Sequence, residues 1–359
     1  MYRAGIIGAG GVAGMGIFGS DPTDSIGKEP VDRSHAGGYR DAGDIELVAI
    51  ADIDPPALER FGEAWEIPPE HRYESHRAML ESADLDVVSV CTPSMYHRSH
   101  VIDAAETDGI EAIWCEKPLA CSVDDARAAT TACANADVEL VVNHSRRFMR
   151  QSQALREAIG DGCIGEVRSV AAGTSMELFR VGTHTIDLVT FLLDARATQI
   201  GGIVTGENEA AEHLGEEVRI DDAGGGGFIV FEDGVFATFD GTVSRKHAAD
   251  FIRIVGTDGR LVLDENGWTH WSGGGRGGDP LQAHDAPTGE YADDHRQSFV
   301  NAATHIVDLL EGDTDNISPG MDAVRTTEIL IGLFISSLTG STVSAPFDGP
   351  LETVTVTSW

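Results

Sequence analysis

Short, almost continuously apolar runs alternate with amphipathic stretches over the first 145 residues. Runs of strand type occur at residues 4–10, 46–52, 87–93, 111–117 and 139–144. Apolar strands separated by amphipathic helices are typical of βαβ units with a parallel sheet. The pattern therefore predicts an α/β Rossmann domain over residues 1–145.

The pattern changes after this point. β-rich runs occur at residues 166–176, 198–206, 225–243 and 251–265, and the last two contain Asp-Gly pairs typical of hairpins. Helical stretches precede and follow these runs. We therefore expect an α+β domain with an open, mostly antiparallel sheet over residues 146–359, and a long Gly-rich loop over residues 272–289.

The charged residues indicate a strongly acidic surface. The chain has 59 acidic and 25 basic residues, a net charge of -34, and its only lysines are Lys28, Lys117 and Lys246. The acidic residues are dispersed, which favours a solvated coat adapted to high salt over a docking site for a basic partner. The same charge argues against a nucleic-acid partner.

The five cysteines are an odd number without a CxxC pair, and no apolar run reaches the length of a membrane span. The first strand begins almost at once, without the pattern of a signal peptide. We expect a cytoplasmic protein with reduced thiols and no membrane or metal partner.

A glycine-rich turn follows the first strand. Gly8, Gly10, Gly11, Val12 and Ala13 belong to a G-x-G-x-x-A sequence of the kind that carries a dinucleotide pyrophosphate.

Asp52, at the end of the second strand, is placed to bind a ribose 2′-hydroxyl and to repel a 2′-phosphate, which favours NAD over NADP. Its alternative role is a helix cap, for which Asp54 is better placed. The spacing from the glycines exceeds the usual one of about 20 residues, because an insertion of unassigned role occupies residues 14–33.

Six motifs, including the glycine turn and the strand end with Asp52, carry chemistry-bearing residues in a recognisable order. They are GIIGAGGVAG, VAIADID, SVCTPSMYH, CEKPLA and VNHSRRF, followed later by GTHTID. Together they resemble the glucose–fructose oxidoreductase, inositol dehydrogenase and MocA family (Gfo/Idh/MocA). The resemblance implies a NAD(P)-dependent oxidoreductase of sugars, cyclitols or sugar acids that forms homodimers or homotetramers.

The resemblance also implies roles for the first-domain motifs. Thr92, Pro93 and His97 would contact the cofactor, and Glu116 and Lys117 would lie beside the nicotinamide. A lysine at the carboxyl end of a parallel strand points to the ligand crevice, where its ammonium can stabilise an alkoxide or move a proton. The alternative for Lys117 is a surface ion pair with Glu116, and for His97 a structural role.

In the second domain, Thr183, His184 and Asp187 match the family's G-x-H-x-x-D sequence. His184 is the expected acid or base, and its alternative is a structural histidine at a helix start. Arg180 stands where many members have Asp, which favours an anionic or polyhydroxyl substrate. Arg147 is a further candidate for substrate binding. The Arg180 replacement also leaves open NAD-assisted elimination without net redox, and a non-catalytic dinucleotide-binding regulator is a third hypothesis.

Overall fold

The computed structural model describes residues 1–16, 31–205, 218–244, 246–247, 250–264, 267–273, 282–285, 291–347 and 354–357. These residues form two compact units. Unit 1 comprises residues 1–120, 125–148 and 295–321, and unit 2 comprises residues 121–124, 149–294 and 322–359. The chain thus passes from unit 1 to a long stretch of unit 2 after Phe148, and residues 295–321 return to unit 1.

Unit 1 is built on a parallel sheet. Its strands are β1 (Tyr2–Ile7), β2 (Ile45–Ala51), β3 (Arg72–Tyr73), β4 (Val87–Val90), β5 (Ala112–Cys115) and β6 (Glu139–Val142). Their order is β3-β2-β1-β4-β5-β6, and every neighbouring pair is parallel. This order is that of a doubly wound dinucleotide-binding domain, as the apolar runs predict.

Within the described residues, five α-helices connect these strands. They are α1 (His35–Ala42), α2 (Pro55–Ala64), α3 (His76–Ser82), α4 (His97–Ala105) and α5 (Val123–Ala136). All side chains of β4 and β5 are buried, as expected for strands covered on both faces.

Helix α1 follows the insertion, of which residues 17–30 lie outside the described residues. The two ends of the insertion meet, because the Val31 N–H donates to the Gly14 carbonyl at 2.9 Å. Ser34 then caps α1, since its hydroxyl oxygen accepts from the Gly37 N–H at 3.0 Å. Gly43 ends the helix with a φ of 84°.

Unit 2 contains the remaining elements. Its strands are β7 (Val167–Ser175), β8 (Ala197–Val204), β9 (Val218–Asp221), β10 (Gly225–Phe231), β11 (Phe236–Val243), β12 (Phe251–Gly256), β13 (Gly259–Asp264), β14 (Gly267–Ser272), β15 (Gln282–Asp285), β16 (Val343–Ser344) and β17 (Val354–Thr357). Its helices are α6 (Arg150–Gly160), α7 (Thr183–Leu193) and most of α9 (Gly320–Thr339). Helix α8 (Tyr291–Leu310) begins in unit 2 and is counted with unit 1 from His295 onward.

Nine strands form the large sheet of unit 2, in the order β15-β14-β13-β12-β7-β11-β10-β8-β16. Only the β7–β11 pair is parallel among the pairs in this sheet's described strands, so the sheet is mostly antiparallel as expected. Strand β15 lies inside residues 272–289, so the prediction of one continuous loop there was wrong. Backbone pairing with β14 extends the sheet where glycine content alone indicated a loop.

One face of this sheet is buried. The register aligns Ile200, Ile229, Ala237, Val170 and Ile254 across five strands, and each of these side chains is at least 97% buried. Helix α9 packs closely on this side, since a Cβ added to its Gly332 would meet the Ile200 side chain at 2.6 Å. None of the helices within the described ranges is long and apolar enough to cross a bilayer.

Candidate cofactor and catalytic site

A pocket of about 350 Å³ lies in unit 1 at the carboxyl ends of β1, β2 and β4. Gly8 and Gly10 line it after β1, Asp52 after β2, and Thr92 and Pro93 after β4. Strand β1 lies between β2 and β4, so this is the point where the strand order reverses. Ligands of open α/β sheets bind at such points. Five of the predicted cofactor residues therefore meet at one pocket.

The glycine turn leaves the backbone accessible. Gly8 has a φ of 99°, and a Cβ added there would meet the Cys91 carbonyl oxygen at 2.9 Å. A Cβ on Gly10 would meet nothing within 4 Å. The next residues, Gly11–Met15, form a single turn of π-helical geometry that includes Val12 and Ala13. Most such motifs are followed by a longer helix.

The Asp52 carboxylate holds this turn in place. Its Oδ2 accepts from the Ala9 N–H at 2.6 Å, and its Oδ1 accepts from the Asp54 N–H at 2.8 Å. Each oxygen keeps a second lone pair, so the carboxylate can also accept from a ligand hydroxyl. Asp54 occupies the cap position of α2 but its side chain makes no cap hydrogen bond.

The far end of the pocket carries residues that the sequence motifs did not indicate. Glu74, His76, Tyr96 and His100 line it. His100 Nδ1 lies 3.0 Å from the Thr92 hydroxyl. Burial, together with the neighbouring His76, lowers the pKa of His100 to about 4, so this imidazole is neutral. Among the residues described as lining the pocket, none is Lys or Arg.

His97 lies behind the pocket rather than in its lining, and its side chain is buried. Its Nε2 is 2.7 Å from the Thr92 carbonyl oxygen and its Nδ1 is 2.9 Å from the Pro118 carbonyl oxygen. Burial lowers the pKa of His97 despite these contacts. The imidazole thus connects the segment after β4 with the segment after β5.

Glu116 and Lys117 follow β5 directly. Strand β5 pairs with β4, with Cys115 opposite Val90. Lys117 therefore follows a strand that is adjacent to β4, one of the three strands that end at the pocket. Lys117 is partly buried, and its backbone N–H donates to Glu116 Oε2 at 3.3 Å. The Glu116 carboxylate is buried.

Arg147 lies after β6 in unit 1 and is only 1% exposed. Its Nη1 donates to the Ile317 carbonyl oxygen at 2.8 Å. This contact uses part of the guanidinium to join the chain after β6 to the segment that follows α8.

The remaining candidates lie in unit 2, around the start of α7. Thr183 and Asp187 are buried and His184 is partly buried. Asp187 Oδ1 accepts from the Thr326 hydroxyl of α9 at 3.4 Å. Arg180 is exposed on the preceding turn, Leu178–Gly182, and its Nη1 lies 3.5 Å from Glu177 Oε2.

The residues around the pocket fit a bound NAD. Gly8 and Gly10 combine a close backbone approach with open space on the pocket side, as a pyrophosphate requires. Asp52 offers acceptors for ribose hydroxyl groups. The volume lies within the usual range for ligand sites, about 300–1,000 Å³.

Comparisons with known proteins agree with this geometry. The model of the Gfo/Idh/MocA family, described as an oxidoreductase family with an NAD-binding Rossmann fold, matches residues 2–144. A D-apiose dehydrogenase from Paraburkholderia graminis is 27% identical over 335 residues, which cover 87% of this chain and 86% of the relative. An inositol 2-dehydrogenase from Rhizobium meliloti is 31% identical, over 47% of this chain and 53% of the relative.

The fold is also found in solved structures. An oxidoreductase from Agrobacterium radiobacter, crystallised with NAD+, L-tartaric acid and magnesium, superimposes with a TM-score of 0.75. The match covers 96% of this chain and 98% of the other at 22% identity, so it bears on the fold alone.

Proposed function

We propose that this chain, whose residues 2–144 match the model of the Gfo/Idh/MocA oxidoreductase family, is an NAD-dependent dehydrogenase. It oxidises a secondary hydroxyl of a sugar, cyclitol or sugar acid, or reduces the matching ketone. The observation that carries this proposal is the pocket at the point where the strand order reverses, with Lys117 on the adjacent strand end. The dehydrogenases of D-apiose and inositol among the relatives support this substrate class.

The first domain, residues 1–145, holds the cofactor in this proposal. NAD supplies the hydride acceptor. The backbone at Gly8 and Gly10 receives the pyrophosphate, and Asp52 accepts hydrogen bonds from ribose hydroxyl groups. The negative charge of Asp52 would disfavour the 2′-phosphate of NADP, so NAD is the preferred coenzyme.

Two residues handle the proton. Oxidation of a secondary alcohol removes a hydride from carbon and a proton from oxygen. We assign Lys117 to stabilising the developing alkoxide and His184 to accepting the hydroxyl proton, because an ammonium suits the first task and an imidazole of near-neutral pKa the second.

Residues 146–359 would provide substrate binding and oligomerisation. Arg180, whose guanidinium is exposed, would bind a carboxylate, phosphate or polyhydroxyl group. Thr183, Asp187 and Arg147 are buried, so they would hold neighbouring backbone and side chains in place for the substrate.

The outer face of the large sheet is the proposed interface of a homodimer or homotetramer. The register places Ile203, Phe228, Phe236 and Phe251 on the face opposite to the buried row. Ile203 is 76% exposed and Phe236 and Phe251 are 45% and 40% exposed. A sheet face that exposes several large apolar side chains is typical of a subunit contact.

We also propose that the enzyme is cytoplasmic and works at high salt. All five cysteines are free thiols, which suits a reducing compartment. The net charge of -34 suits an ionic strength that screens repulsion between acidic side chains.

The activity is tested by following reduced nicotinamide in molar KCl. The substrates are D-apiose, inositols, glucosides and sugar acids, each with NAD and with NADP. We expect substrate-dependent formation of NADH with at least one of them. Protein that retains NAD through dialysis and forms no net NADH with any of them would contradict the proposal and favour an elimination reaction.

The assignment of Lys117 is tested with Lys117→Ala. General acid–base and alkoxide stabilisation contribute about 10²–10⁴ to the rate, so we expect turnover to fall by this factor while the NAD dissociation constant changes less than threefold. The control is Lys246→Ala, which removes an exposed lysine of unit 2 and should leave turnover unchanged. Full turnover in Lys117→Ala would contradict the assignment.

A further inference from the structure

Five buried polar side chains form a hydrogen-bonded chain inside unit 1. They are Tyr39 and His35 of α1, Ser89 of β4, Glu116 after β5 and Asn143 after β6. Tyr39, His35 and Ser89 have no exposed surface, and Asn143 and Glu116 are 2% and 7% exposed. Such groups are expensive to bury unless each finds a partner.

The distances define a continuous path. Tyr39 Oη lies 2.6 Å from Ser89 Oγ, and Ser89 Oγ lies 2.8 Å from His35 Nδ1. His35 Nε2 lies 3.1 Å from Glu116 Oε1, which also accepts from Asn143 Nδ2 at 2.5 Å. The other carboxylate oxygen, Oε2, accepts from the Lys117 backbone N–H at 3.3 Å.

Chemistry decides the direction of these hydrogen bonds. An ionised carboxylate only accepts, so His35 Nε2 carries the proton. In a neutral imidazole the other nitrogen then accepts, so Ser89 donates to Nδ1 and its oxygen accepts from Tyr39. Every donor and acceptor along the path from Tyr39 to Glu116 is thus used consistently.

The surroundings of His35 are apolar. Its ring lies 3.8 Å from the Trp114 ring and 5.8 Å from the Phe299 ring, measured between centroids. Burial lowers the pKa of His35, in agreement with a neutral ring. For Glu116, burial acts to raise the pKa, but the hydrogen bonds from His35 and Asn143 and the Lys117 charge hold it below its usual value.

We propose that His35 is a positioning residue that holds Glu116 as a buried carboxylate immediately behind Lys117. This inference rests on the proposed role of Lys117. The anion accepts from the Lys117 backbone N–H through Oε2, and its negative charge favours the ammonium form of Lys117. Without the His35 N–H, Glu116 loses a donor that offsets its desolvation, takes up a proton more readily, and leaves Lys117 without its neighbouring charge.

Other titratable groups also face Glu116. Besides His35 and Lys117 these are His97 of α4 and the thiols of Cys91 and Cys115. Burial raises the pKa of both thiols, and the Glu116 charge raises it further, so they remain neutral. Neutralising Glu116 is therefore expected to lower the pKa of Lys117.

The scarcity of lysine makes a direct test possible. In a Lys28→Arg, Lys246→Arg background, Lys117 is the only lysine, and protein made with ¹³Cε-lysine reports its titration by NMR without substrate or turnover. We expect His35→Phe, which preserves a ring against Trp114, to lower the Lys117 titration midpoint by about one pH unit, a tenfold change in proton affinity.

Two further variants keep the inference falsifiable. His35→Gln can still donate an N–H to Glu116, so its midpoint should stay near that of the parent. Tyr39→Phe removes only the first donor and should shift the midpoint less than His35→Phe. If His35→Phe does not fold, His35→Leu, which removes the same N–H with a smaller apolar side chain, takes its place.

A folded His35→Phe or His35→Leu variant with an unchanged Lys117 midpoint would overturn the inference. So would an equal shift in His35→Gln, because the effect would then come from repacking rather than from the lost N–H. The control His71→Phe, in the turn before β3, should leave the midpoint unchanged. Absence of dehydrogenase activity in the parent would instead contradict the proposed function and leave this titration measurable.

Discussion

Asp52 shows how one side chain can serve both the fold and the ligand. Its two oxygens accept from the Ala9 and Asp54 backbone N–H groups, which fixes the glycine turn at the end of β1. The same carboxylate lines the pocket. A replacement at this position therefore changes both the shape of the turn and the charge that a ribose would meet.

We predict that Asp52→Ser raises the ratio of kcat/KM for NADP to that for NAD by about tenfold. Removing a charge near a 2′-phosphate relieves a repulsion of about 1–3 kcal/mol at a partly solvated site. Steady-state kinetics with both coenzymes measures the ratio. Asp54→Ser, two residues after Asp52 and not in the lining of the pocket, should leave the ratio unchanged. An unchanged ratio in Asp52→Ser would exclude a role in coenzyme choice.

His295, in the first turns of α8, links stability to pH. Its Nδ1 lies 3.0 Å from Arg33 Nη1, so the ring accepts from the guanidinium and is neutral. Burial first, and then the positive charges of Arg33 and Arg146, lower the pKa of His295 to about 4. The unfolded chain binds this proton near pH 6.5, whereas the folded chain does not until the pH approaches 4.

We therefore expect His295 to reduce the free energy of unfolding as the pH falls from about 6.5 to about 4, with a slope of at most about 1.4 kcal/mol per pH unit. Denaturant titrations of the parent and of His295→Gln across this range isolate the contribution. The variant should show the shallower slope. Identical slopes would mean that His295 does not titrate differently in the two states.

At the scale of elements, the glycine turn after β1 contains one glycine that the fold requires and one that ligand binding requires. Gly8 has a positive φ and its hydrogen atom faces the Cys91 carbonyl, whereas Gly10 borders open space. The first glycine is thus required by the chain itself, and the second only by a ligand that approaches the backbone.

We predict opposite effects for alanine at these two positions. Gly10→Ala should leave the thermal midpoint unchanged and raise the NAD dissociation constant about tenfold or more, because its methyl group occupies space that the pyrophosphate needs. Gly8→Ala should lower the free energy of unfolding by about 1–3 kcal/mol, through a left-handed conformation and a backbone clash. Calorimetry measures the thermal midpoint and the free energy of unfolding, and titration with NAD measures the dissociation constant. Tight NAD binding by Gly10→Ala would contradict the placement of the pyrophosphate.

Element boundaries were predictable where the hydrophobic period was clear. The five short apolar runs of the first domain correspond to β1, β2, β4, β5 and β6, with ends within a few residues. Helix α1 was not predictable from the sequence, because it contains Gly37 and Gly38, and glycine has low helix propensity. The structure supplies the reason for Gly38, since a Cβ there would meet the Phe299 carbonyl oxygen of α8 at 2.6 Å.

For the whole molecule, the dispersed negative charge is the dominant feature. At a net charge of -34, repulsion between acidic side chains opposes the compact state when the Debye length is about 10 Å, and is largely screened when it is about 3 Å in molar salt.

We expect the thermal midpoint to rise steadily between low and molar KCl, with the NAD dissociation constant and oligomeric state measured alongside. An uncharged osmolyte at equal osmolality is the control, and it should raise the midpoint less. A midpoint that is independent of KCl would contradict adaptation to high salt.

The sequence by itself determined the class of each domain, the glycine turn, the acid at the end of β2 and the lysine after β5. These features are local, because alternation, turn residues and strand ends are written in neighbouring positions. Only the tertiary structure decided that Glu116 meets His35 across 81 positions of chain, and that His97 faces two backbone carbonyls. Such contacts depend on which strands become neighbours and which groups lose their water, and neither follows from the spacing of residues along the chain.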